Sequence, residues 1–153
     1  FRRPTVMHLV HLLLLATIVI SFAGCAPAAP PESAVEGRWY THEQVGRVRD
    51  LNQQHCAVCH GRLGEGLAED GKTPDANGNY PPPPLNGTAH TCHPPTDILL
   101  RTIENGGVPL GGVMPAFGSA LNEDEAHEVI AYFQSLWTDD IYARWAEINE
   151  RSK

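Results

Sequence analysis

"HCAVCHGRLGEG", His55–Gly66, places Cys56 and Cys59 three positions apart and follows the second cysteine at once with His60. Two thiols and an imidazole thus share one turn of chain. What flanks that turn decides the fold. Upstream, "THEQVGRVRDLNQQH" opens with Thr41 and, three residues later, Gln44, a capping-box spacing. Val45, Val48 and Leu51 then recur every third residue as one narrow apolar face. The pattern predicts a helix over about His42–Gln54 that delivers the chain directly into Cys56. Downstream, residues 61–95 show no period, and the four consecutive prolines Pro81–Pro84 forbid a helix there. A loop of that length in a compact domain is usually functional or wrapped around something.

Helical signals resume at "TDILLRTIENGG". Thr96 is a potential cap, Ile98, Leu99, Thr102 and Ile103 form a stripe, and Gly106 and Gly107 stop it. "VPLGGVMPAFG" is loop again. "NEDEAHEVIAYFQSLW" gives the clearest helix, with Asn122 as cap and Glu123, Asp124 and Glu125 at the positive end of the helix dipole. Its buried face is Ala126, Val129, Ile130, Phe133, Leu136 and Trp137. A last amphipathic segment, about Asp139–Asn149, presents Ile141, Trp145 and Ile148. The fold class is all-α: several helices held apart by long loops, with something other than side chains filling the middle.

The first 24 residues differ from the rest. Two arginines precede an unbroken apolar run, Leu12–Phe22, and the small residues Ala23 and Gly24 lead to Cys25. This is the layout of an export signal. The run of 11 residues is short for a membrane-spanning helix, which needs about 20. A small-small-Cys ending is like the bacterial lipoprotein signal, which makes Cys25 the lipidation candidate; a plain cleaved signal or an uncleaved anchor helix are the alternatives. Residues 25–37 are rich in Pro and Ala and read as a semi-extended tether. The expected division is therefore a signal over 1–24, a tether over 25–37 and one folded domain over 38–153. Without residues 1–24 the chain keeps 9 basic against 18 acidic residues. An acidic surface argues against nucleic acid as a partner.

Four chemistries compete for Cys56, Cys59 and His60. A thioredoxin-like redox pair expects a βαβ setting, which the pattern lacks. A structural zinc site needs a fourth ligand, and "HTCH", with His90, Cys92 and His93, could offer one. A disulfide or plain thiol pair belongs beside these. The fourth reading is covalent attachment of haem c. Each thiol adds to one vinyl group on the same porphyrin edge, and His60 becomes the proximal iron ligand. The other axial ligand is then Met114, the one methionine outside the signal. Lodged between Val113 and Pro115 in a glycine-rich loop, it is poorly placed as a core gap-filler. Thioether sulfur is soft and favours ferrous iron, so His/Met ligation raises the reduction potential.

With these residues the chain resembles the class I, monohaem c-type cytochromes of bacteria, over Trp39 to about Trp145 and including the "SLW" at the end of the strong helix. The resemblance implies a cytochrome c fold around one haem c, bound through Cys56 and Cys59 and ligated by His60 and Met114. In that family a proline carbonyl within P-x-L-x-G accepts the proximal histidine's proton, and "PPLNG" makes Pro83 the matching residue. The chain departs from the family in its first helix. Val48 and Asn52 stand where a small residue and an aromatic are usual, so the crossing of that helix with the one carrying Tyr132 and Phe133 is expected to be looser or shifted. Cys92 replaces a common aromatic and is expected to be a partly buried, inert thiol, with a dimer-forming disulfide or a metal site with His90 and His93 as the alternatives. His42, His55 and His127 read as surface or capping residues.

Filled axial positions leave one-electron transfer as the remaining chemistry. The expected function is an exported electron carrier, working between redox proteins such as a respiratory complex, an oxidase or a dehydrogenase. It would be held at the membrane by its N-terminal lipid or anchor. A haem sensor or haem enzyme in which Met114 dissociates, and a haem subunit docked permanently in a larger oxidoreductase, stand as alternatives. Only Lys72 and Lys153 supply lysines, so docking through a lysine ring is not expected.

Overall fold

The computed structural model describes residues 34–67 and 73–153. The expected signal, Cys25 and most of the tether lie outside the described residues. Among those residues the chain forms five α-helices: α1 (His42–His55), α2 (Ala57–His60), α3 (Thr96–Asn105), α4 (Glu123–Gln134) and α5 (Asp139–Arg151). Short 3-10 turns stand at His90–Cys92 and Val108–Leu110. The only β feature among the described residues is a single bridge between Ala34 and Thr41. Val35 already packs against the core, so domain contacts begin a little ahead of the expected Arg38.

Local chemistry explains where the helices start and stop. The Thr41 hydroxyl accepts from Gln44 N at 3.1 Å, and the Gln44 side chain accepts from Thr41 N at 2.9 Å. Asn122 and Glu125 make the same reciprocal pair at the head of α4, at 2.9 Å each way. Such caps stabilise a helix by about 1 kcal/mol. α3 starts differently: Pro95 is its N-cap, and the Thr96 hydroxyl donates instead to Asn149 Oδ1 on α5 at 2.9 Å. The end of α4 tightens, with Leu136 N donating to Phe133 O and Trp137 N to Gln134 O, both at 3.1 Å. These three-residue spacings are 3-10 geometry, so Trp137 leaves the α-helix and turns toward the long loop.

α4 is the centre of the core. α1 packs on it most extensively and α3 packs beside it. Every α4 residue from Val129 to Gln134 is buried, and α1 contributes Val48 and Asn52 as its buried positions. The two family departures are thus the positions that α1 buries, with Val48 0% exposed. α5 adds Tyr142 and Trp145 to the core and meets the His90–Cys92 turn. α5 also tethers the junction between the long loop and α3: Trp145 Nε1 donates to Pro94 O at 3.0 Å, and Thr96 N donates to Asn149 Oδ1 at 2.9 Å.

Candidate functional site

α1 runs into the site without a break in hydrogen bonding. Cys56 caps α1 and begins α2, its N–H donating to Asn52 O at 2.9 Å. His60 N returns to Cys56 O at 2.9 Å and Gly61 N to Ala57 O at 2.9 Å, closing the single turn that carries Cys56, Cys59 and His60. Gly61 then leaves the helix at φ +83°. Neither thiol is in a disulfide, and among the described residues no three His, Cys, Asp or Glu side chains gather as a metal-binding group. Cys92 is half-buried and donates to Ala89 O at 3.4 Å. His90 and His93 face each other with ring centroids 5.5 Å apart.

His60 Nδ1 lies 2.8 Å from Pro83 O. A carbonyl only accepts, so Nδ1 carries the proton and the lone pair is left on Nε2. Burial pushes the imidazole below its ordinary value, against the opposing pull of the Pro83 carbonyl. Burial likewise pushes the Cys56 thiol up to about 11, with the neighbouring Cys59 adding to it.

Met114 comes from a separate segment. Gly107 N donates to Met114 O at 3.0 Å, Gly112 N to Gly107 O at 2.9 Å, Phe117 N to Ile103 O at 2.9 Å and Gly118 N to Glu104 O at 3.0 Å. The loop is zipped by its backbone onto the end of α3. The approach requires glycine at 106: at φ +75° and ψ 178° it occupies a region open essentially to glycine alone, and a Cβ there would stand 2.6 Å from Met114 O. Met114 and Cys56 both pack against the same core cluster. His55 and Phe117, flanking the motif and the methionine loop, meet with ring centroids 6.0 Å apart.

The donor set suits a large, flat, apolar group carrying a metal: two unpaired thiols, an imidazole with its tautomer fixed, and a thioether held on another loop. The surface agrees. Of eight large apolar side chains exposed among the described residues, six (Val58, Leu63, Leu67, Tyr80, Val108 and Val113) belong to the motif, its following loop and the methionine loop. Val58 and Leu63, flanking His60, are 70% and 65% exposed. Two cavities elsewhere, about 230 Å³ around Tyr142 and Trp145 and about 600 Å³ along α3, are lined by none of the four donors.

Pro83 entered the sequence reading only through resemblance, and the contact with His60 gives it a physical place. Thr91, Trp137 and Tyr132 escaped that reading as loop anchors. Thr91 Oγ1 donates to Pro84 O at 2.8 Å, Trp137 Nε1 to Leu85 O at 2.8 Å and the Tyr132 hydroxyl to Arg62 O at 3.2 Å. Periodicity marks Trp137 as buried and says nothing of its polar tip.

The family model described as cytochrome C oxidase, cbb3-type, subunit III, matches residues 43–133. The match therefore contains the motif turn, the proline segment and the methionine loop. No solved structure matches the chain.

Proposed function

The chain belongs to the cbb3-type cytochrome c oxidase subunit III family, a c-type cytochrome that binds haem c covalently, and from that premise we propose that Cys56 and Cys59 form the two thioether links while His60 and Met114 ligate the iron. When bound, the haem supplies one-electron Fe(II)/Fe(III) chemistry. The observation that carries the assignment is the His60–Pro83 contact at 2.8 Å on the same turn as two unpaired thiols. Pro83 holds the proton on Nδ1, which frees Nε2 for iron and strengthens its donation. Cys56 and Cys59 would hold the porphyrin to that turn, and Met114 would supply the iron with a second, soft protein ligand. The domain is an electron-transfer module, and Cys56→Ser with Cys59→Ser tests its attachment. Haem staining after denaturing electrophoresis disappears in the double variant; persistent staining rejects the assignment.

The finer reading is an exported carrier between redox proteins, anchored at the outer face of a membrane through Cys25 or an uncleaved N-terminal helix. Among the described residues no helix is long and apolar enough to cross a membrane. Membrane fractionation of Cys25→Ala protein separates the two anchors, since release into the soluble fraction identifies the lipid. The acidic chain, at formal net charge −7, suits a cationic or apolar rim on its partner. A second reading, a haem subunit docked permanently in an oxidase, is favoured by the family description, which names an oxidase subunit. Co-migration with an oxidase through native purification supports it, and a free monomer supports the carrier. The backbone zipper on the methionine loop speaks against a sensor in which Met114 leaves; rapid carbon monoxide binding to the reduced protein would reverse that.

A further inference from the structure

We propose that Thr91 and Trp137, neither of them an iron ligand, are positioning residues for the His60 imidazole. They act through the carbonyl ladder Pro83–Pro84–Leu85, and the inference rests on the reading of His60 as an iron ligand. The physical problem is set by the prolines. Pro81–Pro84 have no N–H groups, so this stretch cannot be fixed by donating its own amides. Its carbonyls must be held from outside.

Three consecutive carbonyls each receive one donor, and each donor comes from a different part of the fold. Pro83 O accepts from His60 Nδ1 at 2.8 Å, Pro84 O from Thr91 Oγ1 at 2.8 Å, and Leu85 O from Trp137 Nε1 at 2.8 Å. The first amides after the prolines, Leu85 N and Asn86 N, both donate to Gly64 O, at 2.6 and 3.1 Å. Gly64 lies four residues beyond His60 in the chain. Residues 60–64 and 83–85 therefore form a closed hydrogen-bonded circuit, with Thr91 and Trp137 bracing its proline side. Gly64, at φ +64°, admits this approach: a Cβ there would meet Asn86 N at 3.2 Å. Trp137 is itself immobilised, 4% exposed and lodged against Gly87.

The Pro83 carbonyl sets how strongly Nδ1–H is held, and hence how basic Nε2 is toward iron. Loosening the ladder weakens that bond, reduces donation to Fe(III) and raises the reduction potential. Thr91 and Trp137 thereby place part of the redox tuning at the turn before α3 and at the α4–α5 corner.

The test uses the haem-loaded full chain as Thr91→Val, Trp137→Phe and, as control, Trp145→Phe. The control removes a comparable indole hydrogen bond, to Pro94 O at 3.0 Å, outside the circuit. Reduction potential, solvent exchange of the His60 ring proton by NMR, and urea midpoint are measured for each. Thr91→Val and Trp137→Phe are expected to raise the potential and speed ring-proton exchange several-fold, while Trp145→Phe lowers only the urea midpoint. If Trp137→Phe does not fold, Thr91→Val decides, because it deletes one hydroxyl from a half-buried turn. Unchanged potential and exchange in Thr91→Val, or an equal shift in Trp145→Phe, overturns the proposal. A wild-type protein whose His60 ring proton carries no haem-induced shift overturns the ligand assignment and this inference with it; a normal shift with no response to the variants overturns this inference alone.

Discussion

The two proposed ligand sides are built by different means. On the His60 side, side chains from α2, the 3-10 turn at His90–Cys92 and the end of α4 each hold one carbonyl of the Pro83–Leu85 segment. On the Met114 side the chain is held by backbone pairs to the end of α3, admitted by glycine at 106. The first arrangement orients a ring and fixes its proton; the second only has to deliver a thioether, which needs no partner of its own. The difference predicts that the histidine side carries haem retention and the methionine side carries axial closure.

Removing each ligand tests that split with the largest effect. His60→Ala is expected to abolish most haem-loaded, folded protein. Met114→Ala should retain covalent haem and bind carbon monoxide when reduced. Equal losses of holoprotein in the two variants would erase the distinction. Next in size is Gly106→Ala, which forces a side chain into a glycine-only backbone region and against Met114 O. It is expected to cost about 3 kcal/mol in urea unfolding and to displace Met114 while the c-type spectrum persists. A fully native spectrum and stability would show that the loop is not held there.

Asn122→Ala removes the α4 cap and should cost about 1 kcal/mol. Because α4 packs on both α1 and α3, this loss should leave the balance between the two sides unchanged. A selective loss of the methionine band would place α4 on one side only. The smallest effect lies away from both ligands. Burial raises Tyr40 and Tyr142 above the ordinary phenol value, so the folded state prefers the neutral phenols. Their contribution is fully present below about pH 10 and is lost as pH rises through the raised values. Urea midpoints should fall above that pH, and less steeply in Tyr40→Phe; identical slopes would remove Tyr40 from the account.

The parts legible from sequence are those encoded by neighbours in the chain. The caps at Thr41 and Asn122 involve residues three apart and could be read directly, as could the thiol and imidazole spacing of Cys56, Cys59 and His60. Thr96 shows the limit. It has a capping residue's chemistry, but its hydroxyl is taken by Asn149 of α5, and the N-cap position falls to Pro95, which makes no side-chain cap bond. Trp137 was visible as an apolar position, whereas its bond to Leu85 O joins residues 52 apart and leaves no local pattern. Val48 and Asn52 depart from the family pattern, yet they are the two positions that α1 buries. Packing accommodates a changed pair of side chains in ways that spacing alone does not reveal.

The most direct test of the central claim is a pair of optical spectra of the purified protein, reduced and oxidised. A c-type spectrum on reduction, with the weak far-red methionine–iron band on oxidation, is the predicted result for haem held by Cys56, Cys59 and His60 and closed by Met114. A c-type spectrum lacking that band would contradict the methionine assignment, and no haem spectrum from cells that mature other c-type cytochromes would contradict the account as a whole.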